Sequence, residues 1–348
     1  MTVNFLQYLA LFLFSLLVCG ALTPLMRNLA LKFSIVDLPN QNHKTHREPI
    51  PYLGGLAIIG SVWIITLLGA LVARIDGETI WAVLGILLPA TFIGLIGLWD
   101  DVKNLEPLPR FIAQTIGAIF TAILIVSTNT VGSPTGNQNL DIALTIIWIV
   151  GITNAINFFD NLDGGASGTV AISSFGLFLL SATSNQFYLA SLSIVVMGSS
   201  SGFLFWNRNP ARIYMGDAGA LFLGMLLSSL LVRFEPNPIN SFASFAIPIL
   251  LMAVPIMDTS VAVTSRISRG RSPFEGGQDH LSHRLIRRGY SRRVVAFGLW
   301  GMTIFFTFLA LLLSNVPFRY EGLITLTSLS IWIACFTWFY FQDHERKE

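Results

Sequence analysis

Apolar runs recur eleven times along the chain, at residues 4–26, 53–73, 79–98, 111–127, 140–157, 166–182, 187–205, 218–233, 241–263, 294–314 and 321–341. A helix needs about 20 apolar residues to cross a bilayer. Each run therefore predicts one span, and the pattern predicts an all-α polytopic membrane protein with about eleven transmembrane helices. The first run is read as a span and not as a signal peptide, because it is long, lacks a basic start and shows no convincing cleavage site. The chain is read as one domain, with polar loops at 27–52, 99–110, 158–166, 206–217 and 264–293 gathered on one side.

Composition agrees with the pattern. Of 348 residues, 53% are hydrophobic and 11% are charged, whereas soluble domains carry about 25% charged residues. Charge then orients the chain. The loops after odd-numbered runs, together with the C-terminus, hold 18 of the 21 Lys and Arg, and the other side holds Arg74, Arg233 and Arg319. Basic loops stay in the cytoplasm. The expectation is a multi-pass protein of the inner (cell) membrane, with its N-terminus outside and its C-terminus inside. All five histidines and most carboxylates fall on the basic side, which places the chemistry at the cytoplasmic face. A net charge of +2 leaves no basic excess for a nucleic-acid partner. Cys19 and Cys335 sit in apolar runs near opposite ends of the chain, predicting two core side chains and no disulfide.

The stretch 151–168, GITNAINFFDNLDGGASG, interrupts the apolar pattern most sharply. Asn154, Asn157, Asp160 and Asp163 recur every third residue. Helical neighbours three apart share a face, but at about 3.6 residues per turn the row drifts around the helix. All four cannot face one point unless the helix ends, and Gly164-Gly165 permits an ending. The stretch therefore predicts a helix that carries amides and carboxylates out of the apolar layer and stops. Polar groups there are costly unless satisfied or useful.

Four more polar clusters lie on the same side. His43-Lys44-Thr45-His46-Arg47 precedes Pro51 and Gly54-Gly55. Asp100-Asp101 close the third run, with Lys103 and Arg110 following; adjacent carboxylates repel unless a cation is near. Asn207, Arg208, Arg212 and Tyr214 lead to Gly216-Asp217-Ala218-Gly219, where Asp217 also suits a helix cap. His280-x-x-His283-Arg284 lacks the four Cys or His ligands of structural zinc and suits phosphate better. Carboxylate and amide oxygens suit Mg²⁺ or Mn²⁺. Metal, carboxylates and basic groups together make the equipment of phosphoryl transfer, and the membrane setting points to a lipid substrate.

These motifs, in this order from about Asp37 to Arg288, resemble the polyprenyl-phosphate N-acetylhexosamine-1-phosphate transferases. That family includes bacterial undecaprenyl-phosphate GlcNAc-1-phosphate transferases and the MurNAc-pentapeptide translocase. The resemblance implies transfer of a sugar 1-phosphate from a UDP-amino sugar to a polyprenyl phosphate lipid, with release of UMP, at the start of a cell-envelope polysaccharide pathway. It implies Mg²⁺, with Mn²⁺ as a substitute, held by Asp217 and Asn157. Asp100 and Asp101 would serve catalysis. Asp163, Asn207 and Tyr214 would lie around the uridine. His280, His283 and Arg284 would hold the diphosphate or sugar. Lys44, His46, Arg47, Arg110, Asn154 and Asp160 complete the expected substrate contacts, and a homodimer is among the expected assemblies. Two departures stand out. Ala220 replaces the Ser or Thr of many members. The His-x-x-His-Arg cluster lacks the consecutive histidines of the MurNAc-pentapeptide enzyme, which favours a simple N-acetylhexosamine donor such as UDP-GlcNAc.

Two other readings remain open. A secondary carrier is also polytopic, but carriers place their sites near the midplane on broken helices, and here only Asp258 lies well inside a run. Asp160-x-x-Asp163-Gly164 also matches part of the CDP-alcohol phosphotransferase signature, whose Ala-Arg and downstream aspartates do not follow.

Overall fold

The computed structural model describes residues 4–37, 49–103, 105, 107–127, 135–236, 241–273 and 276–342. In lipid only a helix or a closed barrel satisfies its own backbone, and this chain is built from helices. They are α1 (Phe5–Lys32), α2 (Gly54–Ala73), α3 (Gly77–Lys103), α4 (Pro107–Ser127), α5 (Gln138–Phe159), α6 (Gly165–Thr183), α7 (Phe187–Asn207), α8 (Gly216–Val232), α9 (Ser241–Leu251), α10 (Ala253–Ser268), α11 (Leu281–Arg287), α12 (Arg292–Asn315) and α13 (Phe318–Phe341). A short antiparallel ladder, β1 (Val36–Asp37) with β2 (Ile50–Pro51), pairs Val36 with Pro51 and leads into α2. A capping box starts α1: Asn4 accepts from the Gln7 amide, and the Gln7 side chain accepts from the Asn4 amide.

Every one of the eleven apolar runs is helical. Among the described residues, nine helices are long and apolar enough to cross a membrane, while α8 has only 17 residues. The ninth run is not the straight span expected. It breaks between α9 and α10 with a bend of 75°. Pro255 has no N–H for the Leu251 carbonyl one turn back, and Ser173 Oγ of α6 donates to that carbonyl at 2.7 Å instead. The expected loops also shrink. Residues 27–32 continue α1, 99–103 finish α3, and 264–268 and 281–287 are helical.

The centre of the bundle is α8, buried continuously from Ala218 to Leu231. It packs on α2, α3 and α5. The approach to α2 requires glycine, since a Cβ on Gly55 would stand 2.2 Å from the Gly219 nitrogen. Helices α1 and α13 sit outside, with Phe14, Leu17, Leu323 and Leu326 bare on their surfaces. Cys19 and Cys335 are both free. The C-terminal ends of α3, α5 and α7 and the start of α8 meet at one end of the bundle.

Candidate active site

The Asn/Asp row divides as the drift of the helix demands. Asn154 turns toward α4, donating to Gln114 Oε1 at 2.7 Å and to the Val150 carbonyl at 2.8 Å. One turn later Asn157 faces α8, and its Nδ2 donates to Asp217 Oδ1 at 2.8 Å. The helix then stops, with Asp160 as its C-cap. Asp163 lies in the turn that follows, where Gly164 takes φ +74°, a conformation suited to glycine, and opens α6. Asn207, at the end of α7, locks this turn. Its Oδ1 accepts from Gly164 N and Ser167 Oγ, both at 3.0 Å, and its Nδ2 donates to the Ile213 carbonyl at 3.1 Å.

The N-terminus of α8 carries Asp217, but Asp217 is not its cap. Met215 occupies the cap position without a side-chain hydrogen bond. The capping carboxylate comes from α3: Asp101 accepts from Asp217 N at 2.9 Å and from Ala218 N at 3.1 Å. Gly216, at φ +66°, makes room for it, because a Cβ there would meet Asp101 Oδ2 at 2.4 Å. Asp101 thus matches the helix dipole and leaves the Asp217 side chain free for other partners. Arg110, from the first turn of α4, donates Nη1 to both Asp217 Oδ2 and Asp100 Oδ2. Asp100 Oδ1 also accepts from Leu105 N at 2.6 Å.

Tyr214 and Tyr52 stand beside each other, with ring centroids 6.3 Å apart, and Tyr214 N donates to the Pro51 carbonyl at 2.8 Å. Asp163 Oδ2 accepts from Asn209 Nδ2 at 2.7 Å and Ala211 N at 3.1 Å. The bend at α10 brings the fully buried Asp258 under His280. Asp258 Oδ1 accepts from Leu281 N, and Oδ2 pairs with His280 Nδ1, both at 2.7 Å. Arg266 Nη2 lies 3.2 Å from His280 Nε2. A guanidinium only donates, so Nε2 accepts and Nδ1 carries the proton to Asp258. Arg266 is held in turn by Asp279 at 3.2 Å.

One cavity of 410 Å³ collects these groups: Asp100, Asp101, Asn157, Asp160, Asp163, Asn207, Tyr214, Asp217, His280 and His283 all line it. Its volume is within the usual range for a ligand site. Arg110 is not in the wall but bonds to Asp100 and Asp217, which are. Besides Arg110, two more expected contacts are placed elsewhere. Asn154 is committed to the α4–α5 interface. Arg284 is buried and donates to the carbonyls of Asp279 at 2.8 Å, Phe339 at 3.1 Å and Tyr340 at 3.2 Å, tying α11 to the end of α13. The expected contacts Lys44, His46 and Arg47 lie outside the described residues. The structure adds Asp37, Tyr52, Asn161, Gln278 and Arg292 to the cavity wall. Tyr52 lies between Pro51 and Gly54-Gly55, and Asn161 inside the 151–168 stretch. Gln278 stands two residues before His280, and Asp37 where the resemblance begins. The sequence marked these neighbourhoods, whereas Arg292 had no such signal.

Burial sets the electrostatics. It pushes the Asp160 carboxyl up to about 7, with the charges of Asp217 and Asp163 adding to it. Burial pushes His283 down to about 4, helped by His280, so its ring is neutral at physiological pH. Burial followed by Asp163 raises the Tyr214 phenol, and burial followed by Asp37 raises that of Tyr52. Among the described residues, no three His, Cys, Asp or Glu side chains are gathered to hold a metal ion. Mg²⁺ asks for less than that. It is commonly bound by one or two carboxylates with substrate phosphates and water. Asp217 and the Asn157 carbonyl oxygen are hard ligands of that kind, and Arg110 already supplies positive charge at Asp217.

Comparison with known proteins agrees with the family resemblance. The model of glycosyl transferase family 4 matches residues 83–235. A probable undecaprenyl-phosphate N-acetylglucosaminyl 1-phosphate transferase of Bacillus subtilis is 34% identical over 334 residues, covering 93% of this chain and 86% of the relative. A decaprenyl-phosphate N-acetylglucosaminephosphotransferase of Mycolicibacterium smegmatis is 30% identical, covering 81% of this chain and 78% of the relative. A phospho-N-acetylmuramoyl-pentapeptide-transferase of Prochlorococcus marinus is 29% identical, covering 76% and 75%. The chain belongs to the polyprenyl-phosphate N-acetylhexosamine-1-phosphate transferase family.

Proposed function

We propose that this protein transfers GlcNAc 1-phosphate from UDP-GlcNAc to a polyprenyl phosphate, releasing UMP, at the cytoplasmic face of the membrane. The reaction would begin a cell-envelope polysaccharide pathway. The observation that supports it most is the meeting of Asp100, Asn157, Asp160, Asp217, His280 and His283 on one cavity at an end of an apolar bundle. A lipid phosphate reaches that end from the bilayer, and a nucleotide sugar reaches it from water.

In this reading the acceptor phosphate oxygen attacks the sugar-bearing phosphorus, and the bond to UMP breaks with its electron pair going to UMP. A phosphate monoester has a second pKa of about 6, so near neutral pH the acceptor needs positioning more than deprotonation. Asp100 supplies that by holding Arg110. Asp217 and Asn157 would hold Mg²⁺ or Mn²⁺, which neutralises charge on the transferring group. His280, fixed by Asp258, and His283 face the donor. The Nδ1 of His283 is buried and has no hydrogen-bond partner among the described residues, as suits a group that awaits a ligand. Asp163, Asn207 and Tyr214 surround the uridine.

The broken span α9–α10 is the one feature that favours a carrier. Its acidic residue, Asp258, is sealed and bonded to Leu281 N and His280, which leaves it no path to water. The deciding experiment measures UMP release by the purified protein with polyprenyl phosphate and a panel of UDP-sugars. UMP should appear only when lipid and UDP-GlcNAc are both present, and excess EDTA should stop it. Release without the lipid acceptor, or full turnover in EDTA, would sink the reading.

A further inference from the structure

A second cavity, of 770 Å³, lies beside the first and shares Asp163 with it. Its walls are of two kinds. Leu16 of α1, Phe205 of α7, and Phe297 and Trp300 of α12 form an apolar side. Phe205 is 57% exposed and Phe297 65% exposed, so this side opens toward lipid. Arg208, Arg212 and Arg293 form the other side.

The three cations are poorly compensated. Arg208 is exposed, and its guanidinium has no hydrogen bond or ion pair among the described residues. Arg212 lies over the Trp206 ring at 5.9 Å. Arg293 uses only Nε, which donates to the Asn209 carbonyl at 3.1 Å. The one carboxylate in the wall, Asp163, has Oδ2 already engaged by Asn209 and Ala211. An open, positively charged cavity with an apolar wall facing the bilayer suits an amphiphile with an anionic head.

We propose that this cavity binds an anionic glycerophospholipid from the leaflet on the catalytic side, and that its occupancy steadies the catalytic turn. The route of coupling is short. Arg293 holds Asn209, and Asn209 holds Asp163. Trp300 Nε1 donates to the Gly164 carbonyl at 3.2 Å. The segment that carries Arg208 and Arg212 continues into Tyr214 and Asp217, at the mouth of the first cavity. The polyprenyl phosphate acceptor is not the fitting occupant. Its phosphate has to reach Asp100 and Asp217, which line the first cavity and not this one.

The test measures binding directly, without relying on turnover. Purified protein is titrated with phosphatidylglycerol or phosphatidylcholine and followed by native mass spectrometry. The wild type should retain phosphatidylglycerol in preference to phosphatidylcholine. The R208Q/R212Q variant should lose that preference, each arginine contributing about fivefold in affinity near an anionic head group. R271Q, which alters a distant basic residue, should not. Ser201→Phe, which obstructs the cavity and keeps the arginines, should also abolish retention, and it serves alone if the double variant does not fold. In phosphatidylcholine nanodiscs, added phosphatidylglycerol should raise turnover of the wild type and leave R208Q/R212Q at the basal rate. Equal retention of the two lipids by the wild type would overturn the proposal. So would displacement of phosphatidylglycerol by polyprenyl phosphate, which would assign the cavity to the acceptor.

Discussion

Asp217 is held from three directions: Arg110 and Asn157 at its carboxylate, and Asp101 at its amide. A group so fixed is oriented before substrate arrives, and preorganised charge is the largest contributor to many enzymatic rates. Asp217→Asn should lower kcat by about 10²–10³-fold, as loss of one oxyanion stabiliser does. It should also weaken Mg²⁺ or Mn²⁺ binding measured by calorimetry. Unchanged metal affinity would remove Asp217 from the proposed ligand set. Asp160 illustrates what such a site costs in stability. Its carboxyl rises from 3.8 to about 7 in the folded protein. The folded state therefore prefers the protonated form, and stability present below 3.8 is lost as pH climbs through about 7. In metal-free protein, Asp160→Asn should raise the apparent Tm at pH 8 and change little at pH 4. The gain should be about 1–2 kcal/mol, because a half-buried carboxylate is partly screened. A thermal-shift series across pH decides, and a flat difference would mean that burial does not hold this carboxyl up. The Asn/Asp row was legible in the sequence because its meaning is local: period, drift and a glycine ending. The roles of Asp101 and Arg284 were not. The amides that Asp101 caps lie more than a hundred residues away, and the carbonyls of α13 that Arg284 grips lie 55 and 56 residues on. No spacing rule along the chain reports such partners.

At the scale of elements, one helix end is completed by another helix. Asp101 on α3 caps α8, and the same contact sets the height of Asp217. Asp101→Ala should cost about 0.5–2 kcal/mol, the usual loss for a helix cap, and should lower activity as well. Asp101→Asn retains an acceptor oxygen and should recover most of the stability. If Asn and Ala are equally damaging, charge against the helix dipole carries the contact instead of the hydrogen bonds. Arg284 is a second joint of this kind, between α11 and α13. Arg284→Ala should lower thermal stability by about 1.5–3 kcal/mol, the scale of hydrogen bonds made by a charged group. The KM for the UDP-sugar should hold steady at temperatures where the variant stays folded. A raised donor KM in a fully folded variant would return Arg284 to the substrate. The bend between α9 and α10 could have been read from Pro248 and Pro255. Hydropathy alone hid it, because both halves are apolar and the break leaves no polar gap. The bend matters to the site, since it turns Asp258 under His280.

At the scale of the whole molecule, the fold separates two ends by the thickness of a membrane. In α5, Asn139 lies in the first turn and Phe159 at the end beside the cavity; at about 1.5 Å per residue they are roughly 30 Å apart. Glu78 and Asp100 stand in the same relation along α3. Every motif that lines the cavity therefore lies at one end, and the basic residues of the sequence collect at that end too. Chemistry and basic residues thus share one end, and the proposed cytoplasmic site predicts a sidedness that labelling reads. In a variant lacking Cys19 and Cys335, Asn139→Cys and Gly276→Cys should label with opposite sidedness. An impermeant thiol reagent added to intact cells should reach position 139, and position 276 should react only after permeabilisation. UDP-sugar with Mg²⁺ should then slow labelling at 276, which adjoins the cavity residues Gly277 and Gln278, and leave 139 unaffected. Labelling of both positions from one side would refute the span arrangement. Labelling of 276 alone from outside would turn the whole molecule over and put the site on the face that UDP-sugars do not reach.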